Sequence, residues 1–131
     1  MSKRRVVVTG VGGLTPLGND IATTWANLLA GKSGIASLTQ FDTSAFTTHF
    51  GGSIKDFDVS PYLSPKDARK MDVFMQYGIA AAVQAVNDSG IDFETENSER
   101  CGAAIGSGIG GIGYIESARQ IIDTKGPRRM S

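Results

Sequence analysis

The chain has 131 residues, 40% of them apolar, with 17 glycines and only 20% charged residues. That composition excludes a disordered tail and a coiled coil, and the length suits one domain of 1–131 with a real core. Lys+Arg and Asp+Glu are 13 each, so no basic excess marks a nucleic-acid binder. A single cysteine excludes an internal disulfide framework or a Cys-rich zinc site, and His49 alone gives no histidine metal cluster.

The start, Met1-Ser-Lys-Arg-Arg5, has a basic n-region, but Val6-Val7-Val8 is interrupted at once by Thr9, Gly10, Gly12 and Gly13, so no signal peptide is read. No apolar stretch is long enough to span a membrane. The expectation is a cytoplasmic protein without a membrane partner. Arg5 to Thr9, rich in β-branched residues, predicts a strand covered on both faces, as in a parallel sheet. Gly10 to Gly18 is a Gly/Pro loop. Asn19 or Asp20 can cap a helix whose face carries Ile21, Trp25, Leu28 and Leu29, and Gly31 ends it.

Lys32 to Tyr62 predicts a long loop with a short strand at Phe50 to Lys55. Loops of this length are usually functional or docked on something. Ser64-Pro65-Lys66-Asp67 is a helix start, with a capping serine, proline at the first position and an acid where a capping box places one. One helix is predicted from there to Ser89, with Gly90 as its stop. Its middle, Met71 to Val86, is apolar nearly all round, which predicts burial, and burial on that scale wants more protein than 131 residues supply. Asp88 to Glu99 reads as a solvated acidic connector. Cys101 to Gly106 predicts a second buried strand, Gly106 to Gly113 a Gly-rich turn, and Tyr114 to Ile122 a helix with Ile115, Ala118, Ile121 and Ile122 on its face. Gly126-Pro127 breaks that helix. Alternating strands and helices predict an α/β sheet. No closing element follows Arg128-Arg129-Met130-Ser131, so the chain is expected to be a truncated protein.

Two features carry candidate chemistry. Gly106-Ser107-Gly108-Ile109-Gly110-Gly111 matches G-x-G-x-x-G between a predicted strand and helix, the setting of a dinucleotide fingerprint. The acid expected about 20 residues later would fall around Arg128 to Ser131, where none stands, and Asp123 comes too early. The same turn also reads as close backbone packing, or as room for a long apolar ligand with Ile109 its one bulky residue. Lys66, Arg69 and Lys70 stand at i, i+3 and i+4, on one face of the predicted helix and in its first two turns. Cations there oppose the helix dipole, which points to an acidic partner rather than to stability. Arg128 and Arg129 add two more; an ordinary solvated face is the alternative. Cys101, among small neighbours, reads as a core residue at a strand start, and His49 as a loop histidine. There is no Ser/His/Asp set, no G-x-S-x-G elbow and no evident carboxylate pair.

The segments Arg4-Arg-Val-Val-Val-Thr-Gly-Val-Gly-Gly-Leu-Thr-Pro-Leu-Gly18, Leu29-Ala-Gly-Lys-Ser-Gly-Ile35 and Phe41-Asp-Thr-Ser-Ala45 resemble the β-ketoacyl-acyl-carrier-protein synthases of type II. So do Arg69-Lys-Met-Asp72, Gln76-Tyr-Gly78, Asp88-Ser-Gly90, Gly106-Ser-Gly-Ile-Gly-Gly111 and Gly126-Pro-Arg-Arg129. The resemblance runs the whole chain in register, and the Gly-Ser-Gly-Ile turn favours type II over type I. It implies a thiolase-like fold of two similar α/β halves, with this chain most of the first, and a homodimer without a cofactor. It implies fatty-acid elongation by decarboxylative Claisen condensation, through a cysteine thioester and two histidines that lie beyond Ser131. Cys101 does not match that cysteine, so this chain alone is expected to be inactive. Two roles do fall on residues present: Ile109, beside Gly108, matches the gate of the acyl pocket. Lys66, Arg69, Lys70, Arg128 and Arg129 match cations that bind the acidic acyl carrier protein. The competing expectation is a nucleotide-binding α/β domain using Gly106 to Gly111.

Overall fold

The computed structural model describes residues 3–130. The start of the basic N-terminal run, Met1 and Ser2, and the terminal Ser131 lie outside the described residues. Eight elements follow in order. They are α1 (Ile21–Leu29), β1 (Ile35–Ser37), β2 (Phe50–Gly52), α2 (Pro65–Ala68), α3 (Val73–Ser89), a 3-10 turn (Ser98–Arg100), α4 (Ile112–Lys125) and a second 3-10 turn (Pro127–Arg129).

The punctuation of α1 is local and follows expectation. The Asp20 carboxylate accepts the Thr23 N–H at 2.6 Å and its hydroxyl at 2.8 Å, and Gly31, at φ +66°, turns the chain after the helix. Asn19, the other candidate cap, instead donates its amide to the carbonyls of Lys55 (2.9 Å) and Asp56 (3.3 Å). It thereby holds Asp56 in a left-handed conformation at φ +49°. The long segment to Tyr62 contains an antiparallel pair, Ile35↔Gly52 to Ser37↔Phe50. β2 begins where predicted but ends at Gly52, not Lys55, and β1 was not expected.

The helix predicted from Ser64 to Ser89 is two helices. Ser64 caps α2 by accepting the Asp67 N–H at 3.1 Å, and Gly90 ends α3 in the left-handed conformation at φ +65°. Between them Asp72, at φ −67° and ψ 157°, leaves the helical region and caps α3. The carbonyls freed by the break are taken up by Gln76, whose side-chain amide donates to Ala68 O and Met71 O, each at 3.0 Å.

α3 is the spine of the fold. The loop at Gly10 to Gly13 lies directly on its C-terminal half. A Cβ on Gly10 would strike the backbone at Ala85 and Ser89, and one on Gly12 the backbone at Ala81 and Ala85. Side chains of the helix fasten the loop: Asp88 accepts the Val11 N–H at 2.8 Å and Gln84 the Gly13 N–H at 3.1 Å. Gln84 also donates to Asn19 O (2.7 Å) and to the Tyr62 hydroxyl (2.9 Å). Phe57 stacks on Tyr62 and meets Tyr77 edge-on, centroids 5.1 Å apart, bringing the loop against α3.

Three burial expectations are corrected. The middle of α3 is half-buried rather than enclosed, with Ala80 fully covered. Arg5–Thr9 and Cys101–Gly106 form no ladder; Val6 is 87% exposed and Cys101 is exposed, with its thiol 3.5 Å from Asn97 O. The physical reason is shared: a two-faced strand needs neighbours on both edges and layers on both faces, and the described residues supply only α3 beneath. The one described sheet is the β1–β2 pair, not the parallel sheet that the alternation predicts. Among the described residues no helix is long and apolar enough to cross a membrane.

Candidate functional site

The glycine-rich turn follows Ile105, whose side chain lies against Gly78 of α3. Its glycines have different causes. Gly110 has φ +78°, a conformation side chains resist. Gly111 has an ordinary φ of −94°, but a Cβ there would overlap the Asp72 carboxylate. At Gly106 and Gly108 a Cβ would meet nothing within 4 Å. The turn is tied internally by Ser107, whose hydroxyl accepts the Gly110 N–H at 3.0 Å. α4 then starts at Ile112, earlier than predicted, and runs on to Lys125 before Gly126.

Two hollows flank the turn. One, of about 660 Å³, lies between the α2–α3 connector and α4, lined by Arg69, Lys70, Asp72, Phe74, Met75, Gly111, Tyr114 and Ile115. The other, of about 460 Å³, is lined by Met71, Phe74, Met75, Gly78, Ile79 and Ile105 to Ser107. They share Phe74 and Met75, so an apolar surface runs along the first turns of α3 beneath Gly106–Gly111. The predicted gate residues Gly108 and Ile109 line neither hollow; Ile109 is 74% exposed at the middle of the turn.

The break at Asp72 changes the account of the cations. Lys66 lies in α2, Arg69 caps its C-terminal end and Lys70 follows in the connector. They do not share one helix face, and Arg69 and Lys70 do not sit in the first turns of a long helix; the predicted conflict with the dipole is gone. All three are exposed. Among the described residues the ion pair that forms is Arg119–Asp123, at 2.8 Å within α4, so none of the three is neutralised by a neighbouring acid. Arg128 and Arg129 stand in the 3-10 turn beyond the other end of α4. α4 has 14 residues, so roughly 20 Å of helix separates the two groups. The structure does not gather the five cations at one point.

Sequence reasoning passed over Asp72 and Gln84 as individual residues. Each had a signal, an acid before an apolar helical run and a lone amide within one. His49 is an exposed loop residue as read, its ring nitrogen 3.4 Å from the Thr43 hydroxyl. No group of three metal-ligating side chains occurs among the described residues.

Residues 3–131 match the family of the β-ketoacyl synthase N-terminal domain. The chain is 56% identical over 131 residues to 3-oxoacyl-[acyl-carrier-protein] synthase 2 of Vibrio cholerae, covering all of this chain and 32% of that protein. It is 45% identical over 128 residues to the synthase 2 of Staphylococcus aureus, covering 98% of this chain and 31% of that one. The chain thus spans about a third of the length of the curated relatives it matches. Among solved structures it resembles a type II polyketide ketosynthase in complex with its acyl-carrier protein, bound to the hexaketide. The TM-score is 0.76 at 30% identity, over 99% of this chain and 35% of that one. It also resembles the ishigamide ketosynthase/chain length factor, with a TM-score of 0.62 at 33% identity over 71% of this chain. These likenesses give the thiolase-like α/β fold, with this chain matching the N-terminal part. They lend no support to the nucleotide-binding reading of Gly106–Gly111. Sequence match, relatives and fold agree: this chain belongs to the β-ketoacyl synthase family and carries its N-terminal domain.

Proposed function

We propose that this chain forms the N-terminal part of a condensing enzyme of fatty-acid elongation. The reaction joins an acyl thioester to malonyl-acyl-carrier-protein. Loss of carbon dioxide breaks a malonyl C–C bond, and its electron pair becomes an enolate at the thioester. The enolate carbon attacks the acyl thioester on the enzyme cysteine, and the thiolate leaves. Donors must hold the oxyanion that develops. The family's cysteine and two histidines have no counterparts within residues 1–131, and Cys101 does not take that role. The chain alone therefore does not turn over, and the active form is a homodimer of the longer protein in the cytoplasm.

Two roles belong to this chain. Gly108 and Ile109 form the movable rim of the acyl channel. The open space about Gly106 and Gly108 supports this reading, because no neighbour among the described residues demands glycine there. Lys66, Arg69, Lys70, Arg128 and Arg129 dock the acidic carrier protein, as two footholds about one helix length apart. A long two-site footprint suits a folded protein better than a small anion.

The observation that carries the proposal is the 56% identity across the whole chain to a 3-oxoacyl-acyl-carrier-protein synthase 2. The test is release of labelled carbon dioxide from malonyl-acyl-carrier-protein by the full-length protein, with and without an acyl primer. Primer-dependent release of one carbon dioxide per condensation is expected. No release with any primer would overturn the proposal.

A further inference from the structure

Asp72 stands where two helix starts meet. Its Oδ1 accepts the Val73 N–H at 2.6 Å and so caps α3. Its Oδ2 is buried and has no hydrogen-bond partner among the described residues. A buried carboxylate oxygen without a partner is costly, and proteins keep few of them. What lies against it is Gly111, the capping position of α4, which has no side-chain cap of its own. The carboxylate occupies the space a Cβ on Gly111 would need. The positive end of α4 offsets part of the cost of a negative charge there. Gly111 in turn closes the turn that carries Ile109, two residues upstream.

We propose that Asp72 is a positioning residue: its free carboxylate oxygen seats Gly111 at the start of α4 and so fixes where the turn that carries Ile109 sits against Phe74, whose ring lies beside Gly110. The inference rests on the reading of Ile109 as the acyl gate and adds to it what holds the gate in register. One acid spans the helix that floors the channel and the helix that ends the turn. A shift at this joint moves the turn relative to Phe74 without touching the reacting atoms.

The test uses the full-length protein and five variants: Asp72→Asn, Asp72→Ser, Gly111→Ala, the double Asp72→Ser/Gly111→Ala and, as the reference for the gate, Ile109→Phe. The readout is the ratio of kcat/KM for long and short acyl primers, a quantity that a general loss of folded enzyme leaves unchanged. Gly111→Ala should move the ratio about tenfold, the scale of coupling between residues in contact. Asp72→Ser keeps a helix cap but withdraws the second oxygen. In the double variant it should therefore return the ratio towards that of the parent. Asp72→Asn keeps the shape without the charge and should shift the ratio in the same direction as Asp72→Ser. Strictly additive effects, or a ratio that no single variant moves while Ile109→Phe does, would overturn the role of Asp72 alone. A ratio that Ile109→Phe also leaves unchanged would remove the gate reading and this inference with it.

Discussion

Reversing a docking cation should raise KM for carrier-protein substrates and leave kcat and small thioester substrates unchanged. Arg69→Glu is the sharpest case. Arg69 is exposed, ends a one-turn helix and has no acid within pairing distance among the described residues. Its loss therefore breaks no described ion pair of the fold. An exposed pair is worth about 0.2–1 kcal/mol. Reversal exchanges that attraction for a repulsion of similar size, so the change is about 0.4–2 kcal/mol, or roughly two- to thirtyfold in KM. The effect should fade between 0.1 M and 1 M salt, as the screening length falls from about 10 Å to about 3 Å. Arg129→Glu acts at the far end of α4, roughly 20 Å away. The free-energy effects of the two reversals should therefore add. The assay is steady-state condensation with acyl-carrier-protein and with a short pantetheine thioester, at both salt concentrations. Equal loss on both substrates, or a defect indifferent to salt, would refute the docking reasoning.

Three further outcomes follow from the geometry. Ile109→Phe should selectively slow long acyl primers, measured as the chain-length profile of kcat/KM; an unchanged profile would remove the gate. Gln84→Leu leaves the Gly13 N–H, the Asn19 carbonyl and the Tyr62 hydroxyl without their shared partner. At about 0.5–1.5 kcal/mol per bond it should cost about 2–4 kcal/mol in denaturant unfolding of the full-length protein, and an unchanged midpoint would mean that the hub is replaceable. Asp20→Ala should cost about 1 kcal/mol of stability at pH 7. The Thr23 backbone N–H, and then its hydroxyl, hold the Asp20 carboxyl below the usual carboxylate range. The folded-state value is depressed, so its contribution is present above the ordinary pKa of about 4 and lost as pH falls through and below it. The gap between parent and variant, followed by melting across pH, should close in acid; a gap constant with pH would mean that the charge plays no part.

What the sequence showed was what its own neighbours in the chain decide. The Asp20 cap, the Ser64-Pro65 start and the left-handed Gly31 and Gly90 are short-range events, and each stands where the residue types place it. The break at Asp72 was equally local but was hidden by the apolar run on either side, whose pattern reads as continuous helix. The β1–β2 pair escaped because pairing Ser37 with Phe50 depends on the path of the intervening loop, not on either triplet. The glycines show the limit best. Gly10 and Gly12 read as part of a Gly/Pro loop, yet they are glycines because the α3 backbone lies against them. The likeness to condensing enzymes marked the cations and Ile109, but neither it nor the residue pattern could show that α4 separates Arg128 and Arg129 from the rest.

The last prediction concerns the surface. A folded monomer of 13.8 kDa should expose about 6,600 Å², whereas this chain exposes 10664 Å². The excess, about 4,000 Å², is several times the 800 Å² or so that each partner loses in a standard interface. Val6 to Val8, Trp25, Leu28, Leu29, Ile105 and Ile109 are among the apolar side chains within it. Pairing two such chains through one ordinary interface would cover only a fraction of that area. Cover on the scale of a domain interior is required, of the kind that neighbouring strands on the edges of Arg5–Thr9 and Cys101–Gly106 would give. The 131-residue chain expressed by itself should therefore bind a hydrophobic dye strongly, associate, and melt without a sharp transition. Joined to the remaining two-thirds of the Vibrio cholerae relative, it should lose dye binding and unfold in one cooperative step. A lone monomeric chain with a sharp melt and no dye binding would show that the exposed valines and isoleucines need no cover.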